Sequence, residues 1–319
     1  MKRFLFVCAA LASALTVSAP AVAAYPDHAV TIVVPYAPGG VTDLFGRAIG
    51  AFLGERWKVP VVVRNEGGGA TMIGTQTVAR AAPDGHTILL TSYAYTSNPI
   101  LRTDMTYAKD ALRPVMLLGN GTTMLLVPAK GDLHNLAEVV AKAKQSPGNL
   151  KLASSGVASS PHIAAELWAK AAGVTITHVP YRGTGPAMTD VLANHVDGIF
   201  DGVGSMPAVE AGKLRPIAIA SKERHPRAPD VPTFRELGVD LVFGSWFGFL
   251  VPKGTPDAVV DQLNADLRAA VADPVTRAAI DQTSLQIEAG TPKSFADFLD
   301  YESKRLKQLV DSGVNLGIQ

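Results

Sequence analysis

A glycine-rich turn between a buried strand and a helix is the feature that most constrains the fold of this chain. The apolar run from Val30 to Tyr36 predicts a strand, and residues 44–53 carry apolar side chains at helical spacing. Between them lies Ala37-Pro38-Gly39-Gly40-Val41-Thr42-Asp43, which contains no Lys or Arg. Such a turn presents unpaired backbone N–H groups and the positive end of a helix dipole. The turn therefore predicts a site that binds an anion through the backbone.

The rest of the chain repeats this alternation of strand and helix. Short apolar runs are separated by helical patterns, which is typical of α/β units with parallel strands. The runs are 59–63, 87–91, 150–153, 175–179, 196–200 and 216–220. About 300 residues exceed what a single core usually supports, so we expect two lobes.

The N-terminal residues predict a secretory leader. Lys2 and Arg3 precede an apolar stretch, residues 4–17, that is too short to span a bilayer comfortably, and small residues at 21–24 suit cleavage. We expect residues 1–24 to be a cleaved signal peptide; a membrane anchor is the alternative. Cleavage of this peptide would remove Cys8, the only cysteine. The mature chain would then contain no disulfide and no cysteine metal site. The net charge would change from +1 to −1, so nothing indicates nucleic acid as a partner.

Two apolar segments are interpreted as crossings between the lobes. Residues 114–128 contain two apolar runs around Gly119-Asn120-Gly121, and residues 243–252 form the second segment. The first lobe would comprise residues 25–120 and 245–319, and the second lobe residues 121–244. Ligands of open α/β sheets bind at the carboxyl ends of the strands, which here would face each other across a cleft.

Three turns of the second lobe resemble the first turn. Residues 154–162 place a cluster of serines, including Ser155 and Ser159 beside Gly156, between a strand and a helix; ligand contact is favoured over simple capping. His162 in the same segment is interpreted as a packed or capping residue. Arg182, Gly183 and Thr184 follow the next strand, and Arg182 is either a carboxylate partner or a solvated surface residue. Asp201 follows a third strand, as a ligand contact or a structural turn residue.

The first lobe contributes further candidates. Tyr93, Tyr95 and Thr96 follow the strand at 87–91 and offer aromatic rings and a hydroxyl, with core packing as the alternative for the tyrosines. Asp43 begins the first helix, where a carboxylate is favourable with or without a ligand. No catalytic or metal-binding motif is found, and the seven histidines are scattered, so we expect no enzyme activity, no metal and no cofactor.

Ordered motifs along the chain resemble one known family. They are YPDHAVTIVVPYAPGGVTD (25–43), VARAAPDGHTILL (78–90), NP (98–99), ASSGVASSPHIAAELW (153–168), HVPYRGTGPAMTDVLANHVDGIFD (178–201), GKLRPIAIASKERHPRAPDVPTFRELG (212–238) and WFGFLVPKGTP (246–256). This order is similar to that of the Bug-type receptors of tripartite tricarboxylate transporters, and the resemblance covers essentially the whole mature chain.

The resemblance implies an α/β periplasmic-binding-protein fold of type II, with two lobes of mainly parallel sheet that close on a ligand. It implies a periplasmic, monomeric receptor that captures a small carboxylate and delivers it to a two-subunit membrane permease. A sensor histidine kinase as partner, or a hydrolase or isomerase on the same frame, are the alternatives. The family pattern assigns ligand contacts to Pro38, Gly39, Gly40, Asp43, Ser155, Gly156, Ser159, Arg182, Gly183, Thr184 and Asp201.

Three segments depart from the family pattern. Residues 64–69 replace a Glu-Asn-Arg-Pro stretch, and Arg182 stands where the family has a lysine. The loop that varies with the ligand is here Tyr93-Ala94-Tyr95-Thr96. The identity of the acid is therefore open, and Tyr93 or Tyr95 would favour an aromatic or longer carboxylate.

Overall fold

The computed structural model describes residues 25–311, 313 and 316, so the expected signal peptide lies outside the described residues. Ten strands are found in this part of the chain: β1 Val30–Val34, β2 Val61–Asn65, β3 Thr87–Ser92, β4 Leu112–Pro128, β5 Lys151–Ser154, β6 Thr177–Pro180, β7 Gly198–Gly202, β8 Leu214–Ile219, β9 Gly244–Pro252 and β10 Gln286–Ile287.

Helices separate most of these strands. They are α1 Val41–Trp57, α2 Met72–Ala79, α3 Ala94–Leu101, α4 Leu136–Gln145, α5 Ser160–Ala172, α6 Thr184–Leu192, α7 Met206–Glu210, α8 Asp257–Ala272, α9 Pro274–Asp281 and α10 Pro292–Asp311, with a 3-10 turn at Val203–Ser205. Among the described residues, none of the helices combines the length and the apolar character needed to cross a membrane. The predicted mixed α/β architecture is confirmed.

Strand β4 joins two sheets. Its residues Leu112 to Thr122 pair with β9, whereas Thr123 to Pro128 pair with β7 and β8. The first sheet has the order β2-β1-β3-β9-β4, and the second continues as β4-β7-β5-β6. The segment expected to hold two runs around Gly119-Asn120-Gly121 is therefore one strand that exchanges its partners midway. The lobe boundaries inferred from the sequence stay a prediction.

The expectation of mainly parallel sheets needs a correction. Pairing is parallel between β1 and its neighbours β2 and β3, and between β5 and its neighbours β6 and β7. Every described pairing of β4 and β9 is antiparallel. The reason is topological. Strand β4 runs from the first sheet into the second, and β9 lies where the chain returns from the second sheet to the first. Strands that pair along this crossing therefore run in opposite directions.

Helix α1 covers the first sheet closely. A Cβ on Gly46 would lie 3.2 Å from Val34 and 3.3 Å from Val63, so the absent side chain lets the helix backbone lie on β1 and β2. The C-terminal end of α1 is fixed by Asp266 of α8. This buried carboxylate accepts hydrogen bonds from Arg56 Nε at 2.6 Å and Trp57 Nε1 at 2.7 Å.

Candidate functional site

A cavity of about 580 Å³ lies where the carboxyl ends of strands from both sheets meet. This volume is within the range of small-molecule sites. The turn after β1 and the start of α1 form one wall, and the turns after β5, β6 and β7 form the opposite wall. Seven of the residues predicted from the sequence line it: Gly39, Gly40, Asp43, Ser155, Ser159, Thr184 and Asp201.

Three helices direct their N-termini at this cavity without a capping side chain. Helix α1 begins after Gly40 and α6 begins after Gly183, and glycine has no side chain to accept the first-turn N–H groups. The N-cap of α5 is Ser159, whose Oγ donates to Gly156 O at 2.6 Å and makes no cap hydrogen bond. By contrast, α4 and α9 are capped by Asn135 and Asp273 side chains. The first-turn N–H groups of the three cavity helices are therefore not taken by a cap and favour an anion.

Arg47 is the one cation among the described residues that line the cavity, and it is already paired. Its Nε donates to Asp43 Oδ2 at 3.1 Å, and its guanidinium also donates to Asn65 Oδ1 at 3.1 Å. Asp43 Oδ1 lies 2.9 Å from the same guanidinium without hydrogen-bond geometry. An anion in the cavity would therefore meet backbone and hydroxyl donors rather than an unpaired positive charge.

Asp43 also uses one of the donors that the sequence assigned to the ligand. The N–H of Gly39 donates to Asp43 Oδ2 at 3.1 Å. Burial favours a higher pKa for Asp43, but the hydrogen bonds from Arg47, Gly39 and Asn65 and the charge of Arg47 outweigh it and lower the pKa. Asp43 is therefore ionised and holds the glycine turn against the start of α1.

The pKa of Asp201 is shifted in the direction opposite to that of Asp43. It accepts a hydrogen bond from Ser205 Oγ at 2.6 Å, and burial raises its pKa despite this bond and one from the Gly202 N–H. A buried carboxyl with a raised pKa takes up a proton more readily than an exposed one. Protonated Asp201 can donate to a carboxylate, and ionised Asp201 can accept from a hydroxyl or an amine.

The turns from the two sheets touch beside the cavity. The N–H of Ala37 donates to Arg182 O at 2.7 Å. Gly183 has φ +152°, and a Cβ there would lie 2.9 Å from Ala37 N, so this contact requires glycine. Ser97 Oγ adds a bond to Ala158 O at 2.5 Å. The first two contacts join the turns after β1 and β6, and the Ser97 bond joins α3 to the turn after β5.

Four predicted residues have other roles near this contact. Pro38 is exposed and Gly183 is buried in the contact between the turns, and neither lines the cavity. The side chain of Arg182 is exposed, and with Gly156 it borders a separate, smaller cavity of about 280 Å³. Gly156 is bound within its own turn, since its N–H donates to Ser154 Oγ at 3.1 Å. Arg182 thus contributes its carbonyl oxygen to the turn contact, whereas the sequence suggested its guanidinium.

The aromatic loop after β3 differs from the expectation. Tyr93 is 2% exposed and packs edge-on against Phe243 at 5.2 Å, and burial raises its pKa to about 12. Thr96 is buried, and its Oγ1 donates to Tyr93 O at 2.9 Å. Neither side chain lines the cavity, nor does the buried Tyr95. The alternative of core packing therefore describes both tyrosines, whose side chains are buried in the interior.

Two histidines stack behind the serine turn. His162 and His178 have ring centroids 3.7 Å apart, His162 Nδ1 accepts from the Ala158 N–H at 3.1 Å, and His178 Nε2 lies 2.5 Å from Ser154 Oγ. Desolvation lowers the pKa of His162 to about 3, with a further contribution from His178, and lowers that of His178 to about 4. Both rings are therefore neutral and support the turn, as the packed or capping interpretation of His162 expects.

The histidines are less scattered in the fold than in the sequence. His28 and His86 are stacked with centroids 3.6 Å apart, and together with Asp27 they place one ligand atom each within 4.8 Å of one another. This finding corrects the expectation that potential metal ligands are not clustered. The group lies before β1 and β3, at the edge of the sheet opposite the cavity.

Several cavity residues were missed by the sequence reasoning. Thr122 and Thr123 of β4 and Ser245 and Phe247 of β9 line the cavity, and all lie on the two crossing segments. The sequence analysis had placed both segments between its two predicted lobes, so their position was itself a usable signal. Thr283 and Leu285 also line it, but they come from the segment between α9 and β10, for which the sequence gave no indication.

Comparison with known proteins gives consistent similarities. The model of the tripartite tricarboxylate transporter family receptor matches residues 46–315. The protein BugT of Bordetella pertussis is 32% identical over 329 residues, which cover 99% of both chains.

Two solved structures from Rhodopseudomonas palustris are also similar. MatC with bound malate has a TM-score of 0.85 and 31% identity, covering 90% of this chain and 100% of MatC. A second R. palustris protein, with adipate, has a TM-score of 0.85 and 28% identity, covering 92% and 99% of the two chains.

Proposed function

Because the chain belongs to the tripartite tricarboxylate transporter receptor family, whose members are solute-binding receptors and not enzymes, we propose that it captures a small carboxylate by closure of two lobes. The lobes would be residues 25–120 with 245–319, and residues 121–244. The observation that carries the proposal is the meeting of three helix N-termini without capping side chains at one cavity.

The physical chemistry of the cavity supports an anionic ligand held without an ion pair. Each helix N-terminus contributes about 0.3–1 kcal/mol, and up to about 2 kcal/mol when partly buried. Micromolar affinity needs about 8 kcal/mol, so the dipoles alone are insufficient. Hydroxyl donors such as Ser155 and Thr184, backbone N–H groups and bridging water would supply the remainder.

The lining supports a ligand that carries both polar groups and apolar surface. Polar groups lie on both walls, at Gly40 and Asp43 on one side and at Ser155 and Thr184 on the other, whereas Met188, Phe247 and Leu285 add apolar surface. The similar MatC structure contains malate, and another similar structure contains adipate. We propose a di- or tricarboxylate as ligand, with aromatic acids and acidic amino acids as the next classes.

The biological setting is part of the same proposal. After export to the periplasm and loss of residues 1–24, the liganded monomer would dock on a two-subunit membrane permease. Closure would be the signal for docking, because a ligand that binds the closed form better shifts the lobe equilibrium towards it. A sensor histidine kinase is the alternative receiver of the liganded form.

A thermal-shift screen tests the proposal. The purified chain is heated with mono-, di- and tricarboxylates, aromatic acids and acidic amino acids, each against its uncharged amide. A ligand that binds only the folded state adds about 2.7 kcal/mol at 100 times its dissociation constant. A selective rise in Tm with one acid class, absent with its amide, is expected. No rise with any acid, in protein freed of copurified ligand by unfolding and refolding, would contradict the proposal.

A further inference from the structure

The cluster formed by Asp27, His28 and His86 lies far from the cavity. In the parallel pair of β1 and β3, Thr31 is in register with Thr87, and the Thr31 N–H donates to His86 O at 2.8 Å. The two strands therefore begin side by side, which brings His28 against His86. The cavity lies at the other ends of the same strands, roughly 17 Å away for a five-residue strand.

The potential ligand atoms converge on one carboxylate oxygen. Asp27 Oδ1 lies 2.6 Å from His28 Nδ1 and 3.2 Å from His86 Nε2. Two imidazoles and a carboxylate form a set of N and O ligands suited to borderline divalent ions such as Zn²⁺. A metal ion would replace the proton in the hydrogen bond between His28 Nδ1 and Asp27 Oδ1.

Asp84 fixes the orientation of His86. Its Oδ1 accepts the His86 backbone N–H at 2.9 Å and lies 3.3 Å from His86 Nδ1. The Asp84 carboxylate therefore lies beside Nδ1, and Nε2 is the nitrogen that faces Asp27. Metal-binding histidines commonly have this arrangement, with a carboxylate on the nitrogen that does not bind the metal.

The side chain of His86 is largely buried. It is 11% exposed, and both ring nitrogens are buried without a hydrogen bond of good geometry. Tyr25 packs edge-on against the ring at 5.3 Å, and its hydroxyl donates to Gly85 O at 2.8 Å. Buried nitrogens that lack good partners need an explanation, and an ion coordinated at Nε2 supplies one for that atom.

We propose that Asp27, His28 and His86 bind one divalent transition-metal ion of the Zn²⁺ class, with Asp84 as the positioning residue. The exposed side chains of Asp27 and His28 can rotate towards the ion, whereas His86 is held in place. The bound ion would join the segment before β1 to the segment before β3. Three protein ligands leave one position of a tetrahedral ion for water.

Calorimetric titration of the purified chain with Zn²⁺, in a protein that carries no polyhistidine tag, tests this site. One ion per chain is expected, and Co²⁺ should give visible ligand-field absorption at the same stoichiometry. His28→Ala and His86→Ala should each weaken Zn²⁺ binding at least tenfold, and Asp84→Asn should weaken it less. His28 is exposed, so its variant keeps the test valid even if His86→Ala fails to fold.

The matched control is His195→Ala. His195 Nδ1 also lies beside a carboxylate, 3.3 Å from Asp190 Oδ1, but outside the cluster. Its variant should bind Zn²⁺ as the unmodified chain does. Absence of saturable binding at about 100 μM Zn²⁺, or equal binding in the His28 and His86 variants, would overturn the proposal. Carboxylate binding at the opposite edge of the sheet provides an independent check that each variant is folded.

Discussion

Gly185 lies so close to Pro38 that a Cβ at position 185 would be 2.5 Å from the Pro38 carbonyl oxygen. Pro38 belongs to the turn after β1 on one wall of the cavity, and Gly185 belongs to the start of α6 on the other. Only a residue without a side chain allows this approach, and the backbone of Gly185 is not in the left-handed region. The contact between the walls thus depends on the absence of a side chain at Gly185 as well as at Gly183.

Gly185→Ala is predicted to weaken carboxylate binding at least about tenfold, equivalent to about 1.4 kcal/mol, because the added methyl group holds the turns apart. Calorimetry with the acid found by the screen gives the affinity. The control is Gly54→Ala in α1, whose Cβ would meet nothing closer than 3.7 Å. Equal affinity in both variants would show that this contact is not needed for binding.

Asp201→Asn is predicted to remove a pH dependence of ligand binding. Burial raises the Asp201 pKa, so deprotonation on raising the pH adds a negative charge beside the ligand. The affinity of the unmodified chain should fall as the pH rises above the usual titration range of carboxyl groups. The Asn variant, a permanent neutral donor, should show a flat profile. The exposed Asp132→Asn serves as control and should keep the slope; a slope unchanged in Asp201→Asn would contradict the assignment.

The stacked histidines are predicted to make the fold sensitive to acid. In the unfolded chain they take up protons below about pH 6.5, whereas the folded pair has pKa values of about 3 and about 4. The unfolded state therefore binds more protons, and stability is complete above about pH 6.5 and decreases towards about pH 4. Each histidine contributes a slope of up to about 1.4 kcal/mol per pH unit.

His178→Gln keeps a partner for Ser154 and removes one of the two titrating rings. Denaturant unfolding between about pH 7 and pH 4 should show a shallower loss of stability than in the unmodified chain. His195→Gln, at an exposed position, should leave the slope unchanged. An identical slope in both variants would mean that the histidine pair does not govern the acid sensitivity.

Asp266→Ala is predicted to lower the free energy of unfolding by about 1–3 kcal/mol, because the half-exposed Arg56 loses its ion-pair partner and buried donors lose their acceptor. The indole N–H of Trp57 and the side-chain amide of Gln262 would lose the same acceptor. The control Asp257→Ala removes the exposed partner of Arg113 and should cost at most about 1 kcal/mol. Denaturant unfolding compares the two, and similar losses would contradict the importance of the buried carboxylate.

The parts of the site that depend on local turn chemistry were predictable. Gly40 and Thr184 line the cavity because a strand that turns through glycine into a helix presents its N–H groups at the sheet edge. The use of the Gly39 N–H by Asp43 was missed, since the sequence does not show which acceptor captures a backbone donor. The sequence left Tyr93 open between ligand contact and core packing, because the pattern did not reveal that its side chain would be directed inwards.

The contributions of distant segments had no local signal. Leu285 lines the cavity from a segment that adds only the short strand β10 to the first sheet. His28 and His86 meet because of the register between β1 and β3, which the sequence alone does not specify. The alternation of strands and helices predicted the fold class, whereas the antiparallel pairing of β4 and β9 follows from how the chain returns between the sheets.

Strand β4 has a mechanical consequence. Its unbroken backbone carries hydrogen-bond ladders of both sheets and changes partners between Thr122 and Thr123. Any rotation of one sheet against the other must twist this strand. The strand would therefore resist the rotation and would not follow it freely. The side chains on either side of the partner exchange would set the resting twist of β4. This twist would determine how far the cavity is open to solvent.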